Sequence, residues 1–403
     1  MPSEFARHWT LDPSITFLNH GSFGATPRPV LSAQDAWRER MEREPVAFFA
    51  RDLEPALDQA RAALADFIGA DADDLAFVPN ATAGVNTVAR SLELEAGDEI
   101  LATDHRYNAV GNILRVAADR AGARVVIVPL PFPGSSAEEA IDLVVDAVTP
   151  RTRLAVIDHV TSTTALVLPV IEIVRALSER GVDTLIDGAH APGMLDLDVS
   201  SLSAAYYTGN AHKWLCSPKG AGFLHVRRDL HPRVRPLAIS HGANSPRTDR
   251  SPFRLEHDWT GTADPSAYLS VPAAIEFGAG LLDGGWPALR NRNREVALQG
   301  RDRLCAALGL SHAAPDTMVG SMVTLALPLE PATVPLDNGV SDDALHAALE
   351  TQGIQVMVAP WPQRADGRRW RRVIRVSAAA YVGADDIERL ARALPGAVAG
   401  LAV

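Results

Sequence analysis

The chain has 403 residues, 47% hydrophobic and 22% charged, with a formal net charge of −11 at pH 7. That length exceeds one comfortable core and predicts two domains or one large domain with an appendage, while the acidic balance speaks against nucleic-acid binding, which rests on cationic contacts to phosphate. No apolar run approaches the roughly 20 residues of a membrane span, no h-region follows Met1, and two cysteines, Cys216 and Cys305, make no disulfide framework; a cytoplasmic protein with no membrane partner is expected.

Residues 53–68 place Leu53, Leu57, Ala60, Leu64 and Phe67/Ile68 on one helical stripe, which Gly69 can close. A second helix is predicted with Thr82 as N-cap and Val85, Val88/Ala89 and Leu92 inward; a third spans 108–121 and ends at Gly122. Apolar runs at 125–128, 154–158, 183–187 and 205–208 read as buried strands, the first three separated by helical stretches near 137–148 and 169–180. Such alternation predicts an α/β fold with a mostly parallel sheet covered on both faces. The pattern changes after about residue 230. Residues 241–257, rich in Arg, Pro and Ser, read as a long surface loop. A helical region at 265–308 is interrupted at Gly284-Gly285. Strands near 321–327, 354–359 and 372–378 and helices near 342–351 and 384–394 then make a smaller α+β unit. The basic cluster at 364–375 reads, for most of its members, as a solvated loop.

Arginine supplies all but two of the 38 Lys and Arg residues. The exceptions, Lys213 and Lys219, share the stretch His212-Lys213-Trp214-Leu215-Cys216-Ser217-Pro218-Lys219-Gly220. Only a primary amine condenses with an aldehyde to an imine, a role closed to guanidinium. In open α/β sheets, ligands bind beyond the carboxyl ends of the strands. Asp187 closes one predicted strand, ahead of Gly188-Ala189-His190, and Lys213 follows another. By itself Asp187 reads as a helix cap. With Lys213 it makes the pair that pyridoxal phosphate requires, an imine-forming amine and an acidic partner for the pyridinium nitrogen. Asn80-Ala81-Thr82-Ala83-Gly84, small residues opening a helix, can cradle a phosphate. Zinc-binding Cys-x-x-Cys and His-Glu-x-x-His patterns are missing, as are a post-strand Gly-x-Gly-x-x-Gly and a P-loop.

Seven stretches carry a resemblance: Leu18-Asn19-His20-Gly21-Ser22-Phe23-Gly24, Thr103-Asp104-His105-Arg106-Tyr107, Asp158-His159-Val160-Thr161-Ser162-Thr163-Thr164, Asp187-Gly188-Ala189-His190-Ala191-Pro192-Gly193, His212-Lys213-Trp214-Leu215, Gly261-Thr262 and Arg375-Val376-Ser377. Together they resemble the class V aminotransferase family of fold type I pyridoxal phosphate enzymes, in particular its isopenicillin N epimerase-like branch. The resemblance covers nearly the whole chain. It implies an N-terminal segment, 1–20, near the active site, a large cofactor-binding domain, 21–270, built on a mostly parallel seven-stranded sheet between helices, and a small C-terminal α+β domain, 271–403. It also implies Lys213 as the imine lysine and Asp187 as partner of the pyridine nitrogen. His190 then contacts the phenolic oxygen with His159 near it, and His105 stacks on the ring, with Tyr107 as the alternative. Ala81, Thr82, Ala83, Asn210 and His212 surround the phosphate. Thr262 of a neighbouring subunit completes that shell, which implies a homodimer with shared sites. Arg375 grips the substrate α-carboxylate bidentately, a geometry lysine cannot reproduce, with Asn19 and His20 close by. On their own residues, His20, His105 and His159 also read as ordinary hydrogen-bonded histidines, Cys216 as a packing residue and Lys219 as a turn residue.

Reactions of this family begin by breaking a bond at Cα, with the released lysine as the natural base. Reprotonation on the opposite face gives an epimer, loss of a β-thiol group a C–S lyase, and protonation at the cofactor carbon transamination. Related cysteine desulfurases carry a nucleophilic cysteine shortly before the carboxylate-binding arginine; residues 357–375 contain none, which disfavours that activity. The expectation is epimerisation of an amino-acid substrate in secondary metabolism, ahead of C–S lyase activity on a cysteine conjugate, with aminotransfer or decarboxylating deamination behind. A catalytically idle dimeric scaffold is disfavoured by the joint presence of Lys213, Asp187 and Arg375. His20, His105 and Tyr107 are alternatives for the second proton donor, and the loops 241–257 and 361–372 carry substrate choice.

Overall fold

The computed structural model describes residues 3–327, 343–362 and 371–401. Its main sheet has seven strands in the order Leu75–Val78, Gly222–Val226, Tyr206–Asn210, Asp183–Gly188, Thr152–Asp158, Glu99–Thr103 and Arg124–Val128. Gly222–Val226 runs antiparallel to both neighbours, and the remaining pairs are parallel. Parallel neighbours need crossovers, which the helices Asn108–Ala121, Ala137–Asp146 and Val170–Ser178 supply. This is the parallel sheet that the strand–helix alternation predicts. Helix Leu53–Ile68 buries the whole stripe except the half-buried Phe67, and Gly69 closes it at φ 65°. Helix Asn108–Ala121 has the predicted bounds, with Gly122 at φ 68° donating to Ala118.

Three expectations need correction. The second helix is Ala81–Ser91, and its N-cap is Asn80, whose side chain accepts the Ala83 N–H at 2.9 Å; Thr82 sits inside the first turn. Residues 241–257 are not a plain loop: they contain a 3-10 turn, His241–Asn244, and the start of a helix, Pro252–Asp258, fastened by Arg250 and Arg254 to Asp58. Within the basic cluster, Arg372 and Arg375 are buried on the strand Arg371–Ser377, where Arg372 pairs with Asp343 at 2.7 Å. The remainder of that cluster, 364–370, lies outside the described residues. Strands Leu75–Val78, Glu99–Thr103 and Gly222–Val226 have no counterpart among the predicted strands. Helix Arg28–Arg43 escapes as well: it buries only Val30 and Gln34, so no apolar stripe marks it.

A second, antiparallel sheet follows in the order Met357–Trp361, Arg371–Ser377, Met322–Leu327, with helices Gly285–Leu308 and Ala384–Ala399 packed together beside it. The N-terminal segment joins this part, since Thr16–Phe17 pairs in parallel with Ile354–Gln355 and Leu18 accepts the Ser377 N–H at 2.9 Å. It then crosses to the Lys213 loop. Gly24, at φ 69°, makes that approach possible, because a Cβ there would strike the His212 carbonyl. Gly84 does the same for helix Ala81–Ser91, whose approach to Thr208 leaves no space for a side chain. Among the described residues no helix is long and apolar enough to cross a membrane.

Candidate active site

Four parallel strands deliver functional side chains at their carboxyl ends. Thr103 leads to His105 and Tyr107, Asp158 to His159, Gly188 to His190, and Asn210 to His212 and Lys213. Registers Asp158–Asp187, Asp187–Thr208 and Gly188–Gly209 set three of these ends side by side.

Lys213 is half-buried, and its Nζ lies 3.2 Å from His190 Nε2. Burial and then the positive charge of Arg375 push its pKa from 10.5 down to about 7, against the pull of Asp187. His190 is held well below the usual imidazole value by burial and by the cations Lys213 and Arg375, and the Trp214 indole donates to its Nδ1 at 3.4 Å. Asp187 accepts the Ala189 N–H at 3.0 Å; burial raises its pKa, opposed by that bond and by Lys213. Asp158, its neighbour in register, is also buried and is driven well above the carboxylate range, first by burial and then by the charge of Asp187. The sequence reading passed over Asp158, although its place at a strand end beside Asp187 was an available signal.

At the helix end, two amides already have protein partners: Ala81 donates to Asn210 at 2.8 Å and Ala83 to Asn80. The Thr82 amide and hydroxyl have none among the described residues. His212 donates through Nδ1 to the Ala221 carbonyl at 2.9 Å, and burial lowers its pKa to about 4. His159 lies 2.9 Å from the Tyr207 hydroxyl and is likewise lowered to about 4 by burial. Thr262 lies on an exposed segment.

His105 is fully buried with both ring nitrogens engaged, Nδ1 with the Thr164 hydroxyl at 2.6 Å and Nε2 with the Leu130 carbonyl at 3.2 Å. Trp361 packs on it at 4.2 Å between ring centroids. Tyr107, by contrast, is 45% exposed, near enough to Arg375 to favour its charged form. His20 is also fully occupied. Its Nδ1 faces the Tyr381 hydroxyl at 2.8 Å and the Ala25 N–H at 3.3 Å, and its Nε2 faces the Lys213 carbonyl at 2.9 Å. It therefore holds the backbone of Lys213, and burial lowers its pKa to about 4. Arg375 is 2% exposed and reaches the Ser162 carbonyl through Nη1, and Asn19 at 3.3 Å and Ser22 at 3.0 Å through Nη2. Its buried Nε has no hydrogen-bond partner among the described residues. Ser22, Ser162 and Trp214 lie inside the resembling stretches but were given no role there; Trp361 opens the loop expected to carry substrate choice, and Tyr381 lies outside every such stretch. Lys219 is exposed, with Nζ 3.4 Å from Thr26, as a turn residue should be.

The model of the class V aminotransferase family matches residues 25–390. Isopenicillin N epimerase of Amycolatopsis lactamdurans is 38% identical over 399 residues, covering 96% of each chain. L-cysteine desulfhydrase of Arabidopsis thaliana is 33% identical over 344 residues, covering 81% of this chain and 73% of the relative. The apo structure of a cysteine desulfurase from Thermococcus onnurineus superposes with a TM-score of 0.81 at 18% identity, covering 99% of each chain, so the fold is that of the fold type I enzymes. With the family model spanning most of its length, this chain belongs to the class V aminotransferases, a family of pyridoxal phosphate-dependent enzymes.

Proposed function

We propose that the protein binds pyridoxal phosphate through Lys213 and epimerises an amino-acid-type substrate at Cα. The observation that carries this reading is the convergence, at the carboxyl ends of neighbouring strands, of Lys213, its amine 3.2 Å from His190, and the buried Asp187, joined by the buried Arg375 from the second sheet; Asp187 and Arg375 both act on the charge of Lys213. The residues fit the cofactor. Lys213 would take its aldehyde, Asp187 its ring nitrogen, His190 its phenolic oxygen and His105 its ring face, with Thr82, Asn210 and His212 at the phosphate. When bound, the group supplies an electron-withdrawing ring that stabilises negative charge at Cα.

The chain's own residues supply the rest. Lys213, half uncharged near pH 7, accepts the Cα proton. Arg375 meets the substrate carboxylate; its buried Nε otherwise lacks a hydrogen-bond partner among the described residues, and a charge-assisted pair supplies one. Asn19 and Ser22 hold its Nη2 in place. Inversion needs a proton from the opposite face. His20 and His105 spend both ring nitrogens on protein groups, while the Tyr107 hydroxyl has no partner among the described residues. Tyr107 therefore takes that role.

A homodimer with shared sites belongs to the same reading. Thr262 is exposed, and the adjacent Gly261 borders a cleft of about 310 Å³ together with Phe77, Ala83 and Leu237. A second copy on this face brings its Thr262 to the phosphate end. The domain division at 21–270 and 271–403 and a cytoplasmic location, which two free thiols suit, complete the proposal.

C–S lyase activity is the second reading, favoured by the 33% identity to a desulfhydrase. Incubation with candidate amino acids in heavy water separates them. Deuterium at Cα with an intact carbon skeleton supports epimerisation; pyruvate or a released thiol replaces it with β-elimination, and a 2-oxo acid that keeps the skeleton replaces it with transamination.

A further inference from the structure

The two ring nitrogens of His190 face two different groups, and one placement of the ring proton satisfies both. Trp214 is buried, and an indole N–H can only donate. It is directed at His190 Nδ1, 3.4 Å away. Leaving such a group unpaired costs about 1–3 kcal/mol, so Nδ1 keeps its lone pair and accepts. The proton of the neutral ring then lies on Nε2, 3.2 Å from Lys213 Nζ. An ammonium there would set N–H against N–H, whereas a free amine presents a lone pair. We propose that Trp214 is a positioning residue whose indole N–H fixes His190 as an Nε2–H donor, which holds Lys213 as a free amine and bars His190 from acting as a base.

The surroundings lock this arrangement. The His20 ring packs on Trp214 at 4.8 Å between centroids, and His20 Nε2 bonds the carbonyl of Lys213. Gly193, at φ 86°, admits the Trp214 carbonyl where a Cβ would collide. The charged and titratable groups facing the pair are Arg375 and Asp187 around Lys213, and Lys213, Arg375 and His20 around His190. None of these charges belongs to the indole, and Phe keeps an aromatic ring for His20 to pack on. An effect of Trp214→Phe on Lys213 that disappears in a His190→Gln background therefore reads the hydrogen bond.

Nitrogen-15 spectra of histidine-labelled protein, with His190→Gln identifying the signal, test the tautomer without any substitution in the wild type. A proton on Nε2 is expected; a proton on Nδ1 overturns the proposal. The second readout rests on Lys213 as the imine lysine: the pH midpoint for its condensation with pyridoxal phosphate, followed by absorbance. In Trp214→Phe, Nε2 becomes free to accept from an ammonium. The midpoint should then rise by about one unit, a roughly tenfold loss of free amine below it. In a His190→Gln background the same substitution should do nothing. An unchanged midpoint in folded Trp214→Phe protein overturns the proposal, and if that variant does not fold, the wild-type spectra decide. Failure of the wild type to condense at all sinks the assignment of Lys213 instead, and leaves the tautomer result standing.

Discussion

Two regions of this protein bury charge, and they treat it in opposite ways. Asp58 on helix Leu53–Ile68 meets Arg61, Arg250 and Arg254, and Arg254 reaches on to Asp73 at 2.9 Å and Asp258 at 3.2 Å. Burial raises Asp58, but its arginine partners together outweigh that and leave its pKa below the ordinary value. Asp187 has one backbone N–H and the charge of Lys213 to set against burial, and its pKa rises. The first region is a fastening, in which Asp58 meets three arginines and Asp258 meets Arg61 and Arg254. The second is underpaired: Asp187 accepts one backbone N–H, and the buried Arg375 Nε has no partner among the described residues. Arg61 Nε of the first region also lacks a hydrogen-bond partner among the described residues, so the difference lies in how many cations meet each carboxylate.

The sharpest break of the comparison is Lys213→Ala, which should abolish the covalent yellow species with pyridoxal phosphate while Lys219→Ala retains it. The opposite pattern would place the chemistry on the wrong lysine. Asp187→Asn comes next: leaving a pyridinium without its buried anion costs about 3–5 kcal/mol, or roughly 10²- to 10⁴-fold in cofactor affinity by titration. Retained affinity would show that Asp187 is only a cap.

Arg254→Ala acts on the other region. Denaturant unfolding should report a loss of about 2–3 kcal/mol, the buried-pair range discounted for the half-exposed Asp58, with no change in the imine midpoint. A shifted midpoint would mean that the two regions are coupled. Arg375→Lys keeps the charge but loses the planar fork, so KM for the amino acid should rise about tenfold with kcat changed less; equal KM values would remove Arg375 from the carboxylate.

The smallest effect is a displacement in pH. Condensation needs the free amine, and the folded pKa of Lys213 lies below its ordinary 10.5. The rate should therefore be lost as pH falls through about 7 and be nearly level by pH 9, where an ordinary lysine is still mostly charged. A midpoint near 10 would contradict the burial and the Arg375 field.

Much of this was legible in the chain. Helix 53–68, helix 108–121 and the strands ending at Asp158 and Asp187 follow from period and from Gly69 and Gly122, which are local properties. The N-cap was misread by two residues because Asn80 and Thr82 are both good caps, and only the Asn80–Ala83 bond chooses between them. Tyr107 and His105, two residues apart, could not be ranked for stacking, because neither spacing nor composition reveals which ring is buried.

By itself the sequence named the lysine on which the proposed chemistry rests. An aldehyde needs a primary amine, and this chain retains only two lysines, one of which follows a strand end. Tertiary structure alone decided the state of that amine. Its burial, the approach of Arg375 and the place of Asp187 on a neighbouring strand shift its charge, and His190, reached by Trp214, lies 3.2 Å from it. Electrostatic fields and proton positions depend on distance through space, and the order of residues along a chain does not contain it.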